Sequence, residues 1–245
     1  MKIIKHITEN FTNLEKLNKQ YVATPPHPTL CLDNFLPIET VRAMKEECEN
    51  VKWENVFTRA NSKMIEKHNI EDCPVAVDVK NQLSSKTFLK WLGDTTGHDD
   101  LIPDPYMIGA GYMRCGRGDS LKIHTDFNFN NTLKLYRMLS LIVYLNEDWQ
   151  DEWNGDLQFW DFEKKGCVNR YYPRAGRAVI WRYHRLGFHG HPEPLTCPEG
   201  TYRDGFRMFY YVSEHAGYRL EKTPHRSLYY YDADKQQPYD ISTEK

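Results

Sequence analysis

From about residue 105 the chain is a succession of short runs, YMIGAGYM, SLKIHTDF, MLSLIVYL, GDLQFWDF, RAVIWRY and FRMFYYV, set apart by turn residues. Alternation of apolar and polar positions marks strands with one buried face. Such runs at tight spacing, with no helical segment between them, predict an antiparallel sandwich or barrel. The clearest run is SLKIHTDFNFN, residues 120–130. Leu121, Ile123, Thr125, Phe127 and Phe129 share one face, and Lys122, His124, Asp126, Asn128 and Asn130 share the other. Earlier in the chain the period lengthens. Residues 38–50 place Val41, Met44 and Cys48 at helical spacing behind Pro37, which suits a first helical turn. Residues 76–92 do the same with Val79, Leu83, Phe88 and Leu92, and Gly93 is the predicted stop. The fold class expected is mainly β with helical support (α+β). It is read as one domain over 1–245: a helical or mixed support region at 1–104, a β core at 105–213 and a tail at 214–245. The tail is polar and tyrosine-rich, and is expected to wrap the barrel and to be partly disordered at its end.

Composition narrows the function classes. The chain has 245 residues, enough for a sizeable core. Lys and Arg total 32 and Asp and Glu 34, a formal charge of −2, which gives no pointer to nucleic acid or an anionic membrane as partner. No stretch approaches the roughly 20 apolar residues of a membrane span, and MKIIKHITENF does not read as a secretory signal. Cys31, Cys48, Cys73, Cys115, Cys167 and Cys197 are scattered without a CxxC pair, so a zinc ribbon or dense disulfide framework is not expected and a reduced, cytoplasmic protein is the default.

The chemistry lies in three places. His124-Thr125-Asp126 puts an imidazole and a carboxylate on one face of a strand, where both can reach one cation. A third ligand from another strand would complete the two-histidine-one-carboxylate face of non-haem Fe(II) oxygenases. The alternative is an ordinary surface strand. LGFHGHPEPL, residues 186–195, together with His184 just before it, offers His184, His189 and His191 as the distal ligand. YRDGFRMFYYV, residues 202–212, sets Arg203, Gly205, Arg207, Phe209 and Tyr211 on one face. Arginines inside a barrel need an anionic partner, and a carboxylate gripped by two parallel hydrogen bonds is the natural one. Against that stands the surface snorkelling usual for arginine. Trp149, Trp160 and Trp181 read as core or rim, Asn128 and Asn130 as cavity entrance or turn, and Lys122 and Arg137 as solvated surface, with the cavity mouth as their alternative. Cys115 and Cys197 read as buried small residues.

The ordered set IHTDF, LIVYLNEDW, NGDLQFWD, FHGHPEPLTCPEG and YRDGFRMFYYV, over about residues 105–213, resembles the Fe(II)/2-oxoglutarate dioxygenase superfamily, in its prolyl 4-hydroxylase-like branch. The resemblance implies a double-stranded β-helix, or jelly roll. It implies His124, Asp126 and His189 as catalytic iron ligands, His189 being the histidine of the FHG triplet. Arg203 would hold the distal carboxylate of 2-oxoglutarate with help from Tyr144, and Arg207 is the runner-up for that role. Similar proteins often carry serine two residues after the arginine; here the position is Gly205, which has no hydroxyl. The cofactors implied are Fe(II), 2-oxoglutarate and O2, with ascorbate left open. A prolyl residue in a peptide or protein is the first substrate expected; a free amino acid or other small molecule is the alternative. Two other readings compete: a non-catalytic binding module or 2-oxoglutarate sensor, and a cupin-like enzyme using another metal.

Overall fold

The computed structural model describes residues 2–59, 62–163, 166–216, 224–230 and 238–239. Five helices come first or interleave with early strands: α1 (Lys2–Asn10), α2 (Leu14–Ala23), α3 (Ile38–Asn50), α4 (Pro74–Leu83) and α5 (Lys86–Thr96). The strands are β1 (Thr29–Leu32), β2 (Asn55–Arg59), β3 (Ser62–Lys67), β4 (Ile102–Pro103), β5 (Gly111–Cys115), β6 (Leu121–Thr125), β7 (Phe129–Asn130), β8 (Leu135–Tyr144), β9 (Leu157–Trp160), β10 (Cys167–Tyr171), β11 (Ala178–Arg182), β12 (His189–His191), β13 (Arg203–Val212), β14 (Leu228–Tyr230) and β15 (Pro238–Tyr239). They form two sheets, ordered β1-β11-β8-β13-β5-β3-β2 and β10-β9-β12-β6-β14-β15, with β4 beside β13 and β7 beside β8. The pairings within both sheets are antiparallel, as a jelly roll requires.

The larger sheet is buried on both faces, and β8 shows why its sequence is nearly continuous apolar residue. Leu139, Leu141 and Val143 join Ile3, Ile7, Val41, Met44, Phe88 and Leu92 in the core between sheet and helices. Ile142 and Tyr144, on the other face, join Phe159, Val179 and Trp181 in the core between the sheets. The helical layer is also tied to the sheet by charge. Asp204 on β13 is fully buried, accepts from Arg114 Nε at 2.7 Å and Nη2 at 2.8 Å, and pairs with Lys45 of α3.

Helix α3 has the expected bounds and buries Val41, Met44 and Cys48. The span 76–92 is two helices rather than one. Ser85 breaks it, because its hydroxyl accepts from Phe88 N at 3.3 Å and caps a new helix, which ends at Gly97 and not at Gly93. Two further differences concern strands. YMIGA does not extend; its strand starts at Gly111. The first hundred residues contribute β1 and the β2–β3 hairpin to the larger sheet, on its two opposite edges. Of the tail, residues 228–230 pair with β6 and so lie on the barrel, while the expected disorder at its end falls outside the described residues.

Candidate active site

Antiparallel pairing of β12 with β6 places His189 opposite His124. The approach is close: a Cβ on Gly190 would stand 2.6 Å from the Leu121 carbonyl oxygen, so only glycine fits next to His189 on this strand. Asp126 follows β6 directly. One ligand atom from each of His124, Asp126 and His189 lies within 4.8 Å of the others. His124 Nε2 is 3.7 Å from Asp126 Oδ1, and His189 Nε2 is 3.7 Å from Asp126 Oδ2. Each histidine donates its Nδ1–H to a backbone carbonyl at 2.8 Å, His124 to Lys122 and His189 to Gly187. A carbonyl only accepts, so the tautomer is set and both Nε2 lone pairs face the carboxylate. Burial pushes His189 down to about 4, which keeps its ring neutral at pH 7 and ready to ligate.

Arg137, expected at the surface, is fully buried beneath this site, a correction with a plain cause. It sits on β8, both faces of which are covered. Its guanidinium lies 3.7 Å from the Phe127 ring centre and 3.6 Å from that of Phe209. Its Nη1 is 2.7 Å from Asp126 Oδ2, an ionic contact whose N–H bonds are not aimed along it. Burial alone would raise the Asp126 carboxyl; Arg137 and the two histidines outweigh it and hold the group well below the usual carboxylate range.

Deeper in the barrel Arg203 is 1% exposed. Its Nε donates to Gly155 O at 2.6 Å and its Nη2 to the Tyr144 hydroxyl at 3.0 Å, while Nη1 is buried with no partner. A buried guanidinium with one nitrogen unpartnered can donate from it to an anionic group such as a carboxylate. Arg207, four residues on, has its charge met by the carboxylate of Glu66 on β3. At Gly205 a Cβ would come 3.3 Å from Val143 O, so the strand contact there is tight.

The other histidines separate. His184 is exposed, stacks on Phe162 at 4.8 Å, and accepts from Leu186 N. His191 points into the barrel with its Nε2 3.7 Å from Cys115 Sγ. Trp181 is core, as expected, and its ring also stands 5.3 Å from that of His189. Asn130 takes the turn role, accepting from Thr132 N and Leu133 N. Asn128 accepts from His225 N at 2.8 Å and so holds the tail. That tail brings a residue the sequence did not flag: Tyr229 on β14 is 3% exposed and stacks on His124, ring centres 4.9 Å apart and planes at 22°.

Three comparisons bear on this geometry. Residues 110–211 match the family model described as the 2OG-Fe(II) oxygenase superfamily. No protein of curated function matches the chain significantly in sequence. Among solved structures it is similar to a prolyl-4-hydroxylase from Pseudomonas putida, with 20% identity, TM-score 0.51, and coverage of 82% of this chain and 98% of that one. A prolyl hydroxylase from Trichoplax adhaerens, solved with a hypoxia inducible factor peptide fragment, gives 15%, 0.57, 83% and 93%. HygX from Streptomyces hygroscopicus, solved with nickel, 2-oxoglutarate and hygromycin B, gives 12%, 0.53, 78% and 85%. At these identities the likeness is one of fold.

Proposed function

We propose, from the match of residues 110–211 to the 2OG-Fe(II) oxygenase superfamily model, that the protein is an Fe(II)- and 2-oxoglutarate-dependent dioxygenase that hydroxylates an unactivated C–H bond, with a prolyl residue of a peptide or protein as its first substrate class. The observation that carries this is the convergence of His124, Asp126 and His189 in a barrel that also holds Arg203 with one donor unspent. Two imidazoles and one carboxylate are the donor set for Fe(II), and they fit it. When bound, the iron and 2-oxoglutarate supply the activation of O2 and the oxidation that the side chains cannot perform.

The chain's own residues bind, orient and shield. His124 and His189 present Nε2 because their Nδ1 hydrogens are spent on carbonyls. Arg137 keeps Asp126 ionised and in place between them. Arg203 and Tyr144 receive the distal carboxylate, Arg203 through Nη1; Arg207, matched to Glu66, is left as the secondary candidate. Trp181 and Phe159 flank His189 and keep bulk water from that side. All six cysteines are free thiols, in keeping with a reducing, cytoplasmic setting.

A small-molecule substrate is the second reading. It is favoured by β14, which lays Tyr229 on His124 and narrows the approach to the metal ligands. The test is anaerobic titration with Fe(II) and then 2-oxoglutarate, followed by succinate release in air with proline-containing peptides and free amino acids. A weak visible band that needs both additions and is lost in His189→Ala is expected, together with substrate-stimulated succinate. Iron and 2-oxoglutarate binding without succinate from any substrate would instead favour a sensor. No band would favour the cupin-like reading.

A further inference from the structure

Gly205 offers no hydroxyl beside Arg203, and two buried polar atoms in this part of the barrel have no partner. His191 is 1% exposed and its Nδ1 is buried with no partner. Its Nε2 is 3.7 Å from Cys115 Sγ. Cys115 lies on β5 directly opposite Arg203 on β13, and the charge of Arg203 bears on the His191 ring. Two unspent polar atoms, Arg203 Nη1 and His191 Nδ1, therefore belong to side chains that meet around one thiol. Unmet buried polar atoms are costly, and two in one neighbourhood point to a ligand that satisfies both.

We propose that His191, held by Cys115, is a second hydrogen-bond donor to the distal carboxylate of 2-oxoglutarate, taking the place of the absent hydroxyl. This rests on the co-substrate reading given above. The thiol carries one hydrogen and has Lys63 O and His191 Nε2 both at 3.7 Å; a carboxylate bound at Nδ1 selects the arrangement in which Nε2 takes that hydrogen. When the imidazole takes the S–H hydrogen at Nε2, its own ring hydrogen must be on Nδ1, which makes that atom a donor. Burial pushes the Cys115 thiol up to about 12, so the hydrogen it donates is present at neutral pH. Cys115 acts through His191 and is a positioning residue; His191 touches the co-substrate.

The test is calorimetric binding of 2-oxoglutarate and of pyruvate to the anaerobic, Fe(II)-loaded full chain. Pyruvate has the same 2-oxo acid end and no distal carboxylate. Replacement His191→Leu should weaken 2-oxoglutarate about tenfold or more and leave pyruvate unchanged, because a hydrogen bond to a charged group is lost. His191→Asn keeps a donor near the Nδ1 position and should recover part of the loss. Cys115→Ala should weaken 2-oxoglutarate by less than His191→Leu and add nothing to it in the double variant. Binding of 2-oxoglutarate by His191→Leu at the wild-type level, with Arg203→Met abolishing it, would overturn this inference and leave the co-substrate reading standing. Equal weakening of both acids, or no recovery in His191→Asn, would also overturn it by reducing His191 to packing. Failure of the wild type to bind 2-oxoglutarate would overturn both.

Discussion

Arg137 is the residue on which the proposed metal ligands depend without its being one of them. The Asp126 carboxylate is 17% exposed, and Arg137 is the full positive charge beside it before metal arrives. Removing one partner of a buried pair costs about 3–5 kcal/mol, because the other charge stays behind unpaired. Arg137→Met should therefore destabilise the metal-free protein strongly. A divalent cation would then restore part of that loss, so the rise in melting temperature on adding Fe(II) anaerobically should be larger in the variant than in the wild type. Equal rises would show that Arg137 only packs. His124, Asp126 and Arg203 were legible in the sequence because spacing puts each pair of neighbours on one strand face. The choice of His189 over His184 and His191 came from the FHG resemblance, not from spacing. Arg137 was missed although it had a signal: an arginine inside YRMLSLIVYL, a run buried on both faces, needs an acidic partner from elsewhere in the chain.

At the scale of elements, strand-to-strand charge pairs decide which arginine is free for a ligand. Glu66 on β3 takes Arg207 on β13 and leaves Arg203 to face the barrel. Burial raises the Glu66 carboxyl, but Arg207 and His68 more than offset it, and the group falls from 4.5 to about 2. A carboxyl lowered on folding stabilises the fold above its unfolded value and loses that contribution as pH falls to its folded value. The contribution is on the order of 3 kcal/mol at neutral pH and fades between about pH 4.5 and 2. Glu66→Gln should thus unfold at lower urea than wild type at pH 7, and the gap should close on acidification through that window. A gap independent of pH would remove the ionic explanation. The β2–β3 hairpin was not read from the sequence. Its pattern is short and polar, and its place in the sheet is set by β5 alongside, a long-range partner no local period reports. The α4–α5 break, in contrast, had a local cause in the Ser84-Ser85 pair, since serine competes for backbone hydrogen bonds and favours caps over helix interiors.

Across the whole molecule the helical layer and the sheet share one apolar core and one buried ionic hub, Asp204 with Arg114 and Lys45. Urea unfolding followed by tryptophan fluorescence and by far-ultraviolet circular dichroism should give coincident single transitions, the mark of one cooperative unit. Asp204→Asn should lower both midpoints together, by about 3–5 kcal/mol of stability, since Arg114 is left buried beside a neutral group. Separate transitions would mean that residues 1–104 fold apart from the barrel. Sandwich architecture was readable because alternation repeats at short intervals; the tail's strand was not, because a polar segment can wrap a barrel anywhere. Its actual place matters beyond topology. Strand β6 has β12 on one side and β14 on the other, so Tyr229 seals the edge that carries His124. Trimming the last thirty or so residues to ease crystallisation would leave that strand with an open side, free to pair with another chain. It would also strip an aromatic cover from His124. A shortened protein that aggregates or leaks iron would then be reporting on its own missing end, and its kinetics would describe a different catalyst.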